Sequence, residues 1–123
     1  MAGYRDLLVW QSAMQIAEDI YRLTDNLPKH EMYSLTSQLR RAAIFVPSNI
    51  AEGHGRNSPK EFNHFLGIAL GSLSELETQL LLAVRLNYFK EQELIALLKT
   101  TNEAAKMLQG LKKSLNPKLP TND

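Results

Sequence analysis

Apolar residues recur along this chain at spacings of three and four, and the pattern breaks where proline, glycine or asparagine intervenes. Each residue turns an α-helix by about 100°, so such spacing puts the apolar side chains on one helical face. Strict alternation of apolar and polar residues is absent, and β-branched residues are few outside isolated positions. No strand signal competes, and the chain reads as all-α.

Four helical segments follow. The first runs from about Arg5 to Thr24, with Leu7, Trp10, Met14, Ala17, Tyr21 and Thr24 as its main line and Val9, Ile16, Ile20 and Leu23 widening it. Asn26-Leu27-Pro28 stops it, because a residue before proline is pushed out of helical dihedrals. The second starts around Lys29 to Met32 and carries Leu35, Leu39, Ala42, Val46 and Ile50. Gly53-His54-Gly55 is expected to end it, glycine being the usual left-handed C-cap. The third opens on Ser58-Pro59-Lys60-Glu61, a capping box with proline at the first helical position, and continues to about Leu86. Asn87-Tyr88-Phe89-Lys90 is a turn. The fourth spans about Glu91 to Leu115, with Leu94, Leu97, Leu98, Thr101, Ala105, Leu108, Leu111 and Leu115 inward, and ends at Asn116-Pro117.

Short connections between long helices imply an antiparallel up-down-up-down four-helix bundle. One domain covers residues 1–123, with about 5–115 ordered and 116–123 a frayed tail. A chain of 123 residues with 44% hydrophobic and 22% charged residues supports one core.

Pro47 falls inside the second helical pattern, where it removes a hydrogen bond and crowds the carbonyl of Ala43. A kink is expected, with Ser48 or Asn49 serving the loosened carbonyls; the alternative is a helix ending at Val46. Beside the apolar stripe, Gln38, Arg41, Phe45, Asn49, Glu52 and Arg56 form a mostly polar ribbon. It reads either as a ligand or phosphate site or, preferably, as a polar seam whose arginines pair with Glu52, Glu75 or Glu77 of this or another subunit.

The third helix has too little polar surface for an isolated bundle. Its main stripe is Phe62, Leu66, Ala69, Leu73, Leu76, Leu80, Ala83 and Asn87, and a second line holds Phe65, Ile68, Ser72, Glu75, Gln79, Leu82 and Leu86. A third line, Gly67, Gly71, Ser74 and Thr78, is small on consecutive turns. The glycines either accommodate helices of the same chain or open a subunit contact. Phe65, Ile68, Gly67, Gly71 and Leu82 are the candidate oligomer-interface residues, and self-association is expected.

Net charge is +1, but after residue 98 the five lysines Lys99, Lys106, Lys112, Lys113 and Lys118 face only Glu103 and Asp123. This is either a solvated helix end or a surface for phosphate. Candidate nucleic-acid contacts are Arg40, Arg56, Lys60, Lys112 and Lys113. Cysteine is absent, which excludes disulfides, thiolate metal sites and cysteine nucleophiles. His30, His54 and His64 lack the spacing of a helical metal site. Glu75 and Glu77 lie about 200° apart around a helix, so they cannot share a proton. No nucleotide loop or nucleophile motif is present. The expectation is a non-enzymatic protein with no cofactor, no metal and no small-molecule substrate. The polar N-terminus and short apolar runs make the cytoplasm the default compartment and leave no membrane span expected.

The strings Gln38-Leu39-Arg40-Arg41-Ala42-Ala43, Val46-Pro47-Ser48-Asn49-Ile50-Ala51-Glu52-Gly53 and Gly71-Ser72-Leu73-Ser74-Glu75-Leu76-Glu77 resemble the bacterial four-helix-bundle family of 23S rRNA intervening-sequence proteins. The resemblance extends to Leu7-Leu8-Val9-Trp10-Gln11 and to Lys106-Met107-Leu108-Gln109-Gly110-Leu111. It implies a ring-like homo-oligomer, a pentamer, that associates with structured RNA or with a reverse-transcriptase-like protein, as relatives accompanying diversity-generating retroelements do. Phe45 departs from the family pattern, which usually has serine there. The rival reading is a helical protein-interaction adaptor with no nucleic-acid role. A weaker third is an enzyme with its site in the Gln38–Arg56 ribbon.

Overall fold

The apolar periodicity closes into four helices: α1 (Leu8–Thr24), α2 (Leu35–Gly55), α3 (Pro59–Arg85) and α4 (Ile95–Leu115). Short 3-10 turns at Tyr4–Asp6, Lys29–Glu31 and Glu91–Leu94 precede α1, α2 and α4. The structure, a computed structural model, describes residues 3–116; the expected frayed tail lies outside the described residues beyond Asn116. No strand occurs among the described residues. Each helix packs on its neighbours in sequence and α1 packs on α4, which makes a bundle around one core.

That core is built from Ile16 and Ile20, Leu39, Val46 and Ile50, Leu66, Leu76 and Leu80, and Leu94 and Leu108, all fully buried. The stripe expected for α2 is buried throughout, and that for α3 from Leu66 to Ala83, while Phe62 is half-buried and Asn87 exposed. On α1 the expectation needs correcting. The buried line is Val9, Ala13, Ile16, Ile20 and Thr24, whereas Met14 and Tyr21 are 40% and 41% exposed. The helix carries two adjacent apolar lines, and contact with α2 and α4 selects the aliphatic one. On α4, Ala104 is buried while Leu98, Ala105 and Leu111 flank the core.

Helix ends follow local chemistry. Ser58 Oγ accepts from the Glu61 amide at 3.3 Å, one half of the expected capping box, and Pro59 fills the first position of α3. The start of α2 lies later than expected. After the Lys29–Glu31 turn, the Glu31 carboxylate accepts from the Leu35 amide at 3.4 Å, so an upstream side chain caps a helix that begins at Leu35. The end of α2 also differs. No glycine has a positive φ; Asn57 takes the left-handed conformation at φ 56° just after the helix. Asparagine tolerates this region through its short polar side chain. Asn87, at φ 64°, turns the chain in the same way after α3.

Gly53 has a different duty. A Cβ there would lie 2.6 Å from the Phe65 Cβ, so the missing side chain is what lets α3 cross closely over the end of α2. Helix α2 continues through the buried Pro47 rather than ending at Val46. Asn49 Nδ2 donates to the Phe45 carbonyl at 2.7 Å beside it.

Candidate nucleic-acid interface

Chain direction decides which cations meet. Arg56 follows the last residue of α2, Lys60 lies in the first turn of α3, and Lys112 and Lys113 lie in the last turn of α4. The Lys112 ammonium donates to the Asn63 carbonyl at 2.9 Å, which ties the end of α4 to the start of α3. Arg56 lies over the Phe65 ring, 5.2 Å from its centroid. Four of the five cations singled out from the sequence thus gather at one end of the bundle. His54 and His64 join them, packed edge-on against Phe62 and Phe65 at 5.6 Å each.

The four are not equivalent. Arg56 pairs with Glu52 at 2.8 Å, and Lys112 is half-buried on a backbone carbonyl. Lys60 and Lys113 are exposed and in no ion pair among the described residues, so their heads are open to an anion.

Arg40 stands apart from these four. It lies near the start of α2, and its guanidinium donates to Thr24 Oγ1 at 2.8 Å and to Asp25 at 3.0 Å. The same group lies over the Tyr21 ring, 4.8 Å from the centroid. Its side chain is 23% exposed. Arginine here joins the last turn of α1 to α2, because a planar donor fork can serve a hydroxyl and a carboxylate together.

Within one chain the residues of the polar ribbon lie mostly at the surface. Gln38, Arg41, Glu52, Glu75 and Glu77 are exposed, and Asn49 is half-buried and bonded within its own helix. The single ion pair of the ribbon is Arg56–Glu52. Arg41 lies over Phe45 at 5.2 Å instead of meeting Glu75 or Glu77. In the single chain the ribbon is therefore not a buried network, and Arg41, Glu75 and Glu77 stay in water. Among the interface candidates, Phe65 is committed to the chain's own α2–α3 crossing, and Gly67 faces the Lys112 ammonium at 3.4 Å from a notional Cβ. Ile68, Gly71 and Leu82 remain exposed.

One polar cluster was invisible in the sequence. At the opposite end, Glu31 accepts from the Ser34 hydroxyl and from Tyr88 at 2.7 Å, and His30 lies 3.3 Å from the same tyrosine oxygen. These hydrogen bonds, from Ser34 above all, hold the Glu31 carboxyl below its usual pKa; the hydrogen bond that Tyr88 donates to Glu31 in turn raises the tyrosine's. The partners are 57 residues apart, a separation no local pattern signals. The cluster ties the α1–α2 connection to the α3–α4 turn. Among the described residues no group of three histidine or carboxylate side chains is placed to hold a metal ion.

The features define an all-α bundle with apolar flanks and cations concentrated at one end. The chain belongs to the 23S rRNA-intervening sequence protein family, whose family model it matches over residues 5–110. Its fold is similar to a crystal structure of a protein of unknown function from the S23 ribosomal protein family of Bacteroides thetaiotaomicron VPI-5482. That likeness has a TM-score of 0.80 at 24% identity, covering 86% of this chain and 96% of that one. No curated protein matches the sequence.

Proposed function

We propose that the chain is a non-enzymatic scaffold that assembles into a ring of like copies, a pentamer, and holds structured RNA at its cationic end. The helices run up-down-up-down with a kink at Pro47, and the protein acts in the cytoplasm. The observation that carries this reading is the gathering of Arg56, Lys60, Lys112 and Lys113 at one end of the bundle. The Arg40 link from α2 to the end of α1, and the Lys112 link from α4 to the start of α3, support the alternating directions. A net charge of +1 is weak for one chain. Assembly multiplies it, because several copies present the same cationic end on one rim, and linked weak sites bind as one stronger site.

Filter binding of a 23S rRNA fragment across a salt series tests the reading. Affinity falls with salt, with a log–log slope of roughly −0.7 to −0.9 for each neutralised phosphate, and the slope shrinks in Lys60→Glu/Lys113→Glu. Salt-insensitive retention, or none at low ionic strength, overturns it. A protein captured after nuclease treatment would then favour the adaptor.

A further inference from the structure

The outward side of α3 and the groove between α1 and α2 complement each other, and we propose that they mate between successive copies of this chain. This rests on the self-assembly reading above and adds which surfaces meet.

The ridge is on α3. Gly71 lies mid-helix, where glycine costs about 1 kcal/mol against alanine. A Cβ at Gly71 meets nothing within 4 Å, so the chain's own packing gives no reason for the missing side chain. Exposed Ile68 and Leu82 lie on the same side, 38% and 47% accessible. Only 33% of the most apolar 18-residue window of α3 is buried. Bare backbone between two apolar side chains lets a neighbour approach closely.

The groove is concave and apolar. Ile44 lines both of its halves, one of about 430 Å³ with Tyr21, Tyr33 and Phe45, the other of about 390 Å³ with Trp10 and Met14. Tyr33 is 96% exposed, an aromatic ring left in water at the groove's edge.

Charge identifies the occupant as a second copy. Arg41 on the groove has no ion-pair partner among the described residues, and neither has Glu75, one turn beyond Gly71 on the ridge. Arg41 and Glu75 thus offer each other an opposite charge across such a contact. A two-fold pairing of groove with groove or ridge with ridge would instead bring like charges together. The two surfaces lie on different helices, so each copy offers its ridge to one neighbour and its groove to the next. This is a heterologous contact, which closes into a ring when the rotation permits.

Light scattering on two variants tests the surfaces. Gly71→Leu puts a side chain into space that is open in the single chain and favours the helix; Ile44→Glu charges the exposed middle of the groove. Each is expected at the mass of one chain, with the circular dichroism of the wild type. Mixed in equal amounts they associate again but stop at two chains, since only one intact ridge and one intact groove remain. Wild-type mass in both variants, or no association on mixing, overturns this pairing and leaves the self-assembly reading standing. A wild type that is itself a single chain at micromolar concentration, or that assembles only in detergent or vesicles, sinks both.

Discussion

Gly53 and Gly110 look alike in sequence, each inside a helical pattern, yet their surroundings give them opposite consequences. A methyl at Gly53 would press on Phe65, a backbone-proximal atom that cannot swing away, whereas at Gly110 it meets nothing within 4 Å. Gly53→Ala is expected to destabilise by about 1–3 kcal/mol through overpacking. Gly110→Ala is expected to stabilise by about 0.5–1 kcal/mol through helix propensity. Urea unfolding of the two variants measures both signs. Glu31 offers a second test. Its folded-state pKa is lowered by Ser34, Tyr88 and the Leu35 amide. A carboxyl lowered on folding stabilises the fold above its unfolded-state value of about 4.3 and loses that contribution as pH falls through the lower folded value. The urea midpoints of wild type and Glu31→Gln should therefore converge as pH drops below about 4.

Elements were legible where the signal is local. The start of α3 rests on Ser58, Pro59 and Glu61 within four consecutive residues, and the helix begins at Pro59 as those residues require. Ser58→Ala is expected to lower stability by about 1 kcal/mol, measured by chemical denaturation. The ends of α2 were less legible because their determinants are not local to the motif. Glu31 caps the helix from outside it, and the adjacent glycines stay helical because Gly53 is held under Phe65. Continuity through Pro47 is likewise a tertiary result. A proline that would break an isolated helix is buried on the same face as Val46 and Ile50, and packing of that face outweighs the missing hydrogen bond.

At the scale of the molecule, the cations divide by position. Arg40 holds α1 to α2, and Lys60 and Lys113 belong to the opposite end. Arg40→Gln is expected to cost about 1–2 kcal/mol of stability, since it loosens hydrogen bonds to a charged donor, while the salt slope of RNA binding stays unchanged. Lys60→Glu/Lys113→Glu should do the reverse, leaving the thermal midpoint within a few degrees and flattening the slope. Thermal melts and filter binding on the same preparations separate the two classes. From composition alone these residues were indistinguishable, because a charge count carries no information about which end of a helix meets which.

Helical class, the number of helices and the inward faces of α2 and α3 were determined by the sequence itself, because period, caps and breakers act over a few residues. Which of two apolar lines on α1 is buried, that Arg40 joins α2 to the end of α1, and that Glu31 meets Tyr88 were decided only by the tertiary structure. Those outcomes depend on contacts between segments far apart in the chain, whose free energies emerge only when the helices are packed together.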